Sequence, residues 1–130
     1  YKRQQIFRDY CVDHVTVALH ARADEVYLAR FQCGDNFLPV QVGRYEVGCT
    51  KDFAIPTQHC EVLAGSGAST FAEFAPEYFS AFDQTIIEAQ SNIGDLIELA
   101  RLEFEAGQWV DPMVASPIYV REEVAKKPAP

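Results

Sequence analysis

The sequence predicts an α/β fold in which an antiparallel β-meander at the start leads into a mixed sheet packed with helices. Three observations predict it. Two runs of alternating apolar and polar residues, Val15 to His20 and Glu25 to Gln32, flank a short polar turn at Ala21 to Asp24, which is the two-residue period of an antiparallel hairpin. A short apolar run, Cys60 to Ala64, ends in Gly65-Ser66-Gly67, as a buried strand feeding a tight turn does. Ile93, Leu96, Ile97, Ala100 and Phe104 recur at helical spacing, giving the apolar stripe of a helix packed on a sheet.

The remaining elements follow in order. Tyr1 to Tyr10 lacks Gly and Pro and carries Ile6, Phe7 and Tyr10 as a partial stripe, the end of a helix. Gly34, Asp35 and Asn36 turn the chain into a third strand at Phe37 to Val42, which Pro39 confines to an edge or a bulge. Arg44 to Val47 extends or re-enters that strand, and the loop Thr50 to Gln58 carries at most one helical turn. Phe71, Phe74, Tyr78, Phe79 and Phe82 surround Pro76 at partly helical spacing, which reads as a satellite core cluster. Thr85 to Ile87 adds a short strand. Ser91 caps the helix Asn92 to Ala106, and Gly107 stops it. Pro112 and Pro117 hold the following stretch extended, with a disordered end at Lys126 to Pro130.

Composition narrows the function. With 130 residues, 48% of them hydrophobic, the chain buries one core and folds as one domain, residues 1–125. Nineteen acidic against eleven basic residues leave a net charge of −8, which disfavours general binding to nucleic acid or anionic membrane. No apolar run approaches the ~20 residues of a membrane helix. The first residue is Tyr1 and the one methionine is Met113, so a processed chain or a piece of a longer one is expected.

The residues that carry chemistry are few. Cys11, Cys33, Cys49 and Cys60 form no Cys-x-x-Cys pair, which points to scattered reduced thiols rather than a disulfide framework or a zinc knuckle. His59 and Cys60 are neighbours that a strand would send to opposite faces. Gly65-Ser66-Gly67 lacks the spacing and the Lys-Ser or Lys-Thr ending of a nucleotide loop, so its glycines are read as backbone geometry. Glu98 and Arg101 read as a solvated helix face. His14, His20 and His59 show no His-x-x-x-His spacing, and no serine sits in a Gly-x-Ser-x-Gly elbow. No catalytic, cofactor-binding or metal residue is assigned.

Two separated motifs resemble one family. Ala21-Arg22 with Glu25-Val26-Tyr27 resembles the Asp-Ala-Arg-x-x-Glu-Val-Tyr hairpin of the TsaB (YeaZ) family. Pro117-Ile118-Tyr119-Val120-Arg121 with Ala125 resembles that family's C-terminal Pro-x-Tyr-Leu-Arg signature. The likeness spans essentially the whole chain as the second half of such a protein. His20 stands where the family usually has Asp, and Asp24 where a glycine is common, so no role resting on that acid carries over.

The resemblance implies an actin-like, ribonuclease-H-like half-domain of the sugar-kinase and heat-shock ATPase type. It implies a cytoplasmic, non-catalytic scaffold in the making of threonylcarbamoyladenosine on tRNA, working with a catalytic TsaD-type subunit and a TsaE-type ATPase, without a cofactor of its own. The family's glycine-rich N-terminal half, which supplies most of the contact with TsaD, is missing from these residues. Arg22, Glu25, Tyr27, Pro117, Tyr119 and Arg121 are the structural and interaction positions, with Tyr119 half-buried against the sheet and Arg22 held by Asp24 or Glu25. Exposed edges make a homodimer plausible. The alternatives are a glycoprotease-like metallopeptidase homologue and a protein-interaction module using the Phe71 to Phe82 segment.

Overall fold

A computed structural model of the chain describes residues 12–35, 38–57, 60–87 and 93–121. Five strands form one sheet in the order β3-β2-β1-β4-β5. Strands β1 (His14–Arg22), β2 (Glu25–Cys33) and β3 (Pro39–Cys49) make the expected antiparallel meander. Strand β4 (Cys60–Ala64) pairs parallel to β1, and β5 (Phe82–Ile86) pairs parallel to β4. The sheet is therefore mixed, with β1 at its centre between an antiparallel and a parallel neighbour.

Between β4 and β5 lie α1 (Gly67–Phe74) and α2 (Pro76–Phe79). Pro76 separates them, because its ring cannot continue the preceding helix. These helices cover one face of the sheet. Phe71 and Tyr78 are buried there, stacked at 4.2 Å, with Phe53 edge-on to Phe71 at 5.9 Å and Phe82 tilted against Tyr78 at 5.6 Å. The rings pack against Ala18, Val26, Leu28 and Leu63. The aromatic segment is thus core, as its spacing predicts, and the interaction-module alternative loses that surface.

The opposite face holds a second cluster, Val12, Val15, Ala29, Phe31, Val62 and Ala64. Burial on this face fades along the hairpin: Val15 and Phe31 are buried, whereas Leu19 and its cross-strand partner Tyr27 are exposed. The turn end of the hairpin reaches beyond the second cluster and keeps one open side.

Several boundaries differ from the sequence reading. The first turn is two residues, Ala23 and Asp24, because strand pairing runs on to Arg22 and Glu25. Strand β3 is one continuous edge strand, bent at Gly43, whose φ of +76° suits a bulge. The loop after it has the single expected turn, Thr50–Asp52. Strand β5 starts three residues earlier than Thr85.

The larger difference concerns α3 (Ile93–Glu105). Its stripe was expected on the sheet, yet Ile93, Leu96, Ile97 and Phe104 are 61 to 73% exposed. The pattern correctly reports which face of the helix is apolar, but not what that face meets. The Ser91 cap, the first helix and the disordered end fall outside the described residues.

Candidate functional site

The open side of the hairpin and the tail form a groove of about 540 Å³, walled by Leu19, Tyr27, Tyr45, Ile118 and Tyr119. It exists because β1 and β2 alternate: Leu19 and Tyr27 point away from the helix-covered face, and at this end the second cluster no longer covers them. Tyr45 comes from edge strand β3, and the tail runs across the open side as extended chain.

Glu25 ties these parts together. The last strand pair of the hairpin sets Arg22 opposite Glu25, and the Arg22 Nε donates to the Glu25 carboxylate at 3.0 Å. The guanidinium of Arg121, 96 positions further on, donates to the same Oε2. Arg121 first and Arg22 second hold the Glu25 carboxyl below the usual carboxylate range. Glu25 in turn, followed by the Tyr27 hydroxyl, raises the pKa of Arg121. The Arg121 and Glu25 side chains are about one-fifth exposed, whereas Arg22 is two-thirds exposed. One carboxylate therefore serves two guanidiniums, one inner and one outer.

The turn is braced from beneath. Ala23 takes a left-handed φ of +48°, which a β-carbon resists by about 1 kcal/mol. Its carbonyl lies 3.1 Å from the His20 ring, and the Asp24 carbonyl accepts from the Thr50 amide at 2.9 Å. The His20 amide donates to the Ser66 hydroxyl at 3.0 Å, which links the hairpin to the glycine turn. His20 is a bracing residue here, and Asp24 serves through its backbone.

Four of the six expected positions, Arg22, Glu25, Tyr27 and Arg121, converge. Tyr119 lines the groove but is 79% exposed, not half-buried: the tail is pinned at Arg121 and lies over the groove, so its tyrosine ring stays outside. Pro117 is exposed and contributes no wall. Arg22 is held by Glu25, not Asp24. Sequence reading missed Tyr45 and Leu19 as groove residues. Leu19 was legible as an apolar residue at the turn end of a strand, whereas nothing local marks Tyr45.

The groove is lined mainly by apolar and aromatic side chains. Its two carboxylates, Glu46 in the lining and Glu25 beside Arg22 and Arg121, are both paired with arginines. Among the described residues, no group of three or more His, Cys, Asp or Glu could hold a metal ion, and Cys33, Cys49 and Cys60 form no disulfide. Gly65-Ser66-Gly67 packs on β1: a β-carbon on Gly65 would lie 2.3 Å from the Ala18 carbonyl oxygen. That close approach explains the glycine, as its backbone reading requires. No described helix is long and apolar enough to cross a membrane.

No protein-family model and no curated protein matches the chain. Solved structures do match. One is described as an uncharacterised protein with similarity to peptidase YeaZ from Pseudomonas aeruginosa, with 26% identity and a TM-score of 0.70 over 91% of this chain and 54% of that one. Another, YeaZ from Pseudomonas aeruginosa, has 24% identity and a TM-score of 0.67 over 89% of this chain and 53% of that one. The chain spans about half the length of either neighbour. Five strands in a mixed sheet, with helices between β4 and β5, thus give it a YeaZ-like α/β fold, consistent with an actin-like or ribonuclease-H-like half-domain.

Proposed function

We propose that residues 1–125 form the C-terminal half of a TsaB-type scaffold, a non-catalytic part of the cytoplasmic machinery that makes threonylcarbamoyladenosine on tRNA. In this reading a TsaD-type subunit performs the transfer, and a TsaE-type ATPase completes the assembly. One observation carries the reading: hairpin motif and tail motif, read separately in the sequence, meet at the Glu25 carboxylate between Arg22 and Arg121. Residues 96 positions apart joined by one ion-pair network support a common origin of the two motifs in a single fold. The YeaZ-like architecture of the neighbours supports the same origin.

On this reading the surface that pairs with TsaD belongs mostly to the other half. Mixed with a TsaD-type protein and run on size-exclusion chromatography, the chain elutes on its own; a stable co-eluting complex overturns that division of labour. An upstream coding sequence without a glycine-rich α/β half overturns the scaffold assignment itself. The first neighbour's description carries the word peptidase, and stoichiometric zinc or iron in the purified chain would favour that rival.

A further inference from the structure

Strand β3 forms one edge of the sheet and is guarded along only part of its length. A strand edge presents unpaired N–H and C=O groups with which other chains can pair, and proline and bulges are among the devices that blunt it. Pro39 opens β3, and the bend at Gly43 interrupts its register. Beyond the bend, residues 46–49 pair in unbroken register with residues 28–25 of β2. That stretch carries neither device.

The tail lies alongside this unguarded stretch. Ile118, Tyr119 and Val120 share with residues 44–48 a gap of about 630 Å³, which Asp52 and Phe53 also line. Arg121 pairs with Glu25, and the strand partner of Glu25 is Cys49, so residue 121 stands at the end of β3. Three extended residues span ~10 Å, which carries Ile118 back to the level of Glu46. The tail therefore runs parallel to β3. Alternation along extended chain puts Tyr119 on the same side as Arg121, toward the groove, and turns Ile118 and Val120 toward Phe53. Among the described residues, no backbone hydrogen bond yet joins the tail to the strand.

We propose that residues 118–120 are a strap that closes onto the unguarded half of β3 as a sixth, parallel strand. Closing the gap pairs the outward N–H and C=O groups of β3 with those of the strap and denies this edge to other chains. Pro117 has no N–H to give and falls at the start of the strap, where a strand tolerates proline. The Arg121 contact already holds one end, so closure orders only three further residues. This inference does not rest on the tRNA-modification reading.

Amide hydrogen exchange of the full chain, followed residue by residue by NMR at two protein concentrations, tests it. The expected result is that the outward amides of residues 44–48 and alternate amides of the strap exchange at least about tenfold slower than unstructured chain, as amides released only by local opening do. Tyr119→Pro and Val120→Pro, made together, remove the strap's donor in either register and set rings in the way of close approach, while Arg121 and Glu25 stay in place. In that variant the outward amides of β3 exchange as fast as unstructured chain, whereas the β3 amides bonded to β2 keep their protection and show the sheet intact. Arg121→Met, which frees the end of the strap, gives the same selective loss. Fast exchange of the outward amides in the wild type overturns the proposal. Protection that survives both variants, or that grows with protein concentration as pairing with another copy would make it, overturns it as well.

Discussion

Replacing Gly65 by Ala tests whether the glycine-rich turn is built for backbone packing. Gly65 has a φ of +106°, a conformation L side chains rarely adopt, and forcing a β-carbon into left-handed backbone costs ~1–2 kcal/mol. The added carbon would lie 2.3 Å from the Ala18 carbonyl oxygen and 3.3 Å from Leu19 Cδ2. Ala18 is fully buried on the central strand, paired with Leu28 on β2, so its oxygen has little room to yield. Overpacking of that kind costs ~1–3 kcal/mol. The two effects together remove about 2–5 kcal/mol from a domain expected to hold ~5–15 kcal/mol. Equilibrium unfolding in urea measures the loss as a lower midpoint at an unchanged m-value. Gly107→Ala is the control: its φ of +73° is also positive, but the added carbon meets nothing within 4 Å, so it loses about 1 kcal/mol from backbone strain alone. If Gly65→Ala is no more destabilising than Gly107→Ala, the packing argument is wrong and the turn needs another explanation.

Phe71→Ala empties the centre of the aromatic cluster and costs ~3–5 kcal/mol, read from the same urea titration. Arg121→Met removes the inner cation and frees the tail, so limited proteolysis between α3 and residue 121 speeds up while the core's unfolding midpoint barely moves; surface ion pairs contribute little to global stability. The pH dependence has a definite sign. The folded Glu25 pKa lies below its ordinary 4.5, so tail attachment is fully present above pH 4.5 and is lost as pH falls through the lowered folded value. Proteolysis of the tail with an acid-active enzyme therefore accelerates below that point in the wild type. Glu25→Gln makes it fast and pH-independent.

Local patterning made most of the sheet legible. Alternation at Val15, Val17 and Leu19, the turn residues at 34–36 and the apolar run ending at Gly65 place four strands near their observed positions. Ends were less legible, because strand pairing rather than composition decides where β1 stops: Ala21 and Arg22 look like turn residues and are held in the ladder by Glu25. The groove was half legible. Its residues stood out as motifs, but Tyr45 enters through the bend of β3 at Gly43, and a strand's bend leaves no period in the sequence.

The pairing of Glu25 with Arg121 and the exposure of α3 mark the same boundary of sequence reading. A helical or strand period is a local quantity and says which side of an element is apolar; the partner is a non-local quantity and depends on what the rest of the chain leaves uncovered. For the aromatic segment the two agree, since α1 and α2 sit between two adjacent parallel strands and have one sheet face within reach. For α3 they part company. The helix follows the edge strand β5, with no later strand among the described residues to draw it back across the sheet. The tail returns over the groove, where Ile118 and Tyr119 line the wall and Arg121 pairs with Glu25. The stripe of α3 is thus a local property of the helix, whereas its exposure is set by the rest of the fold.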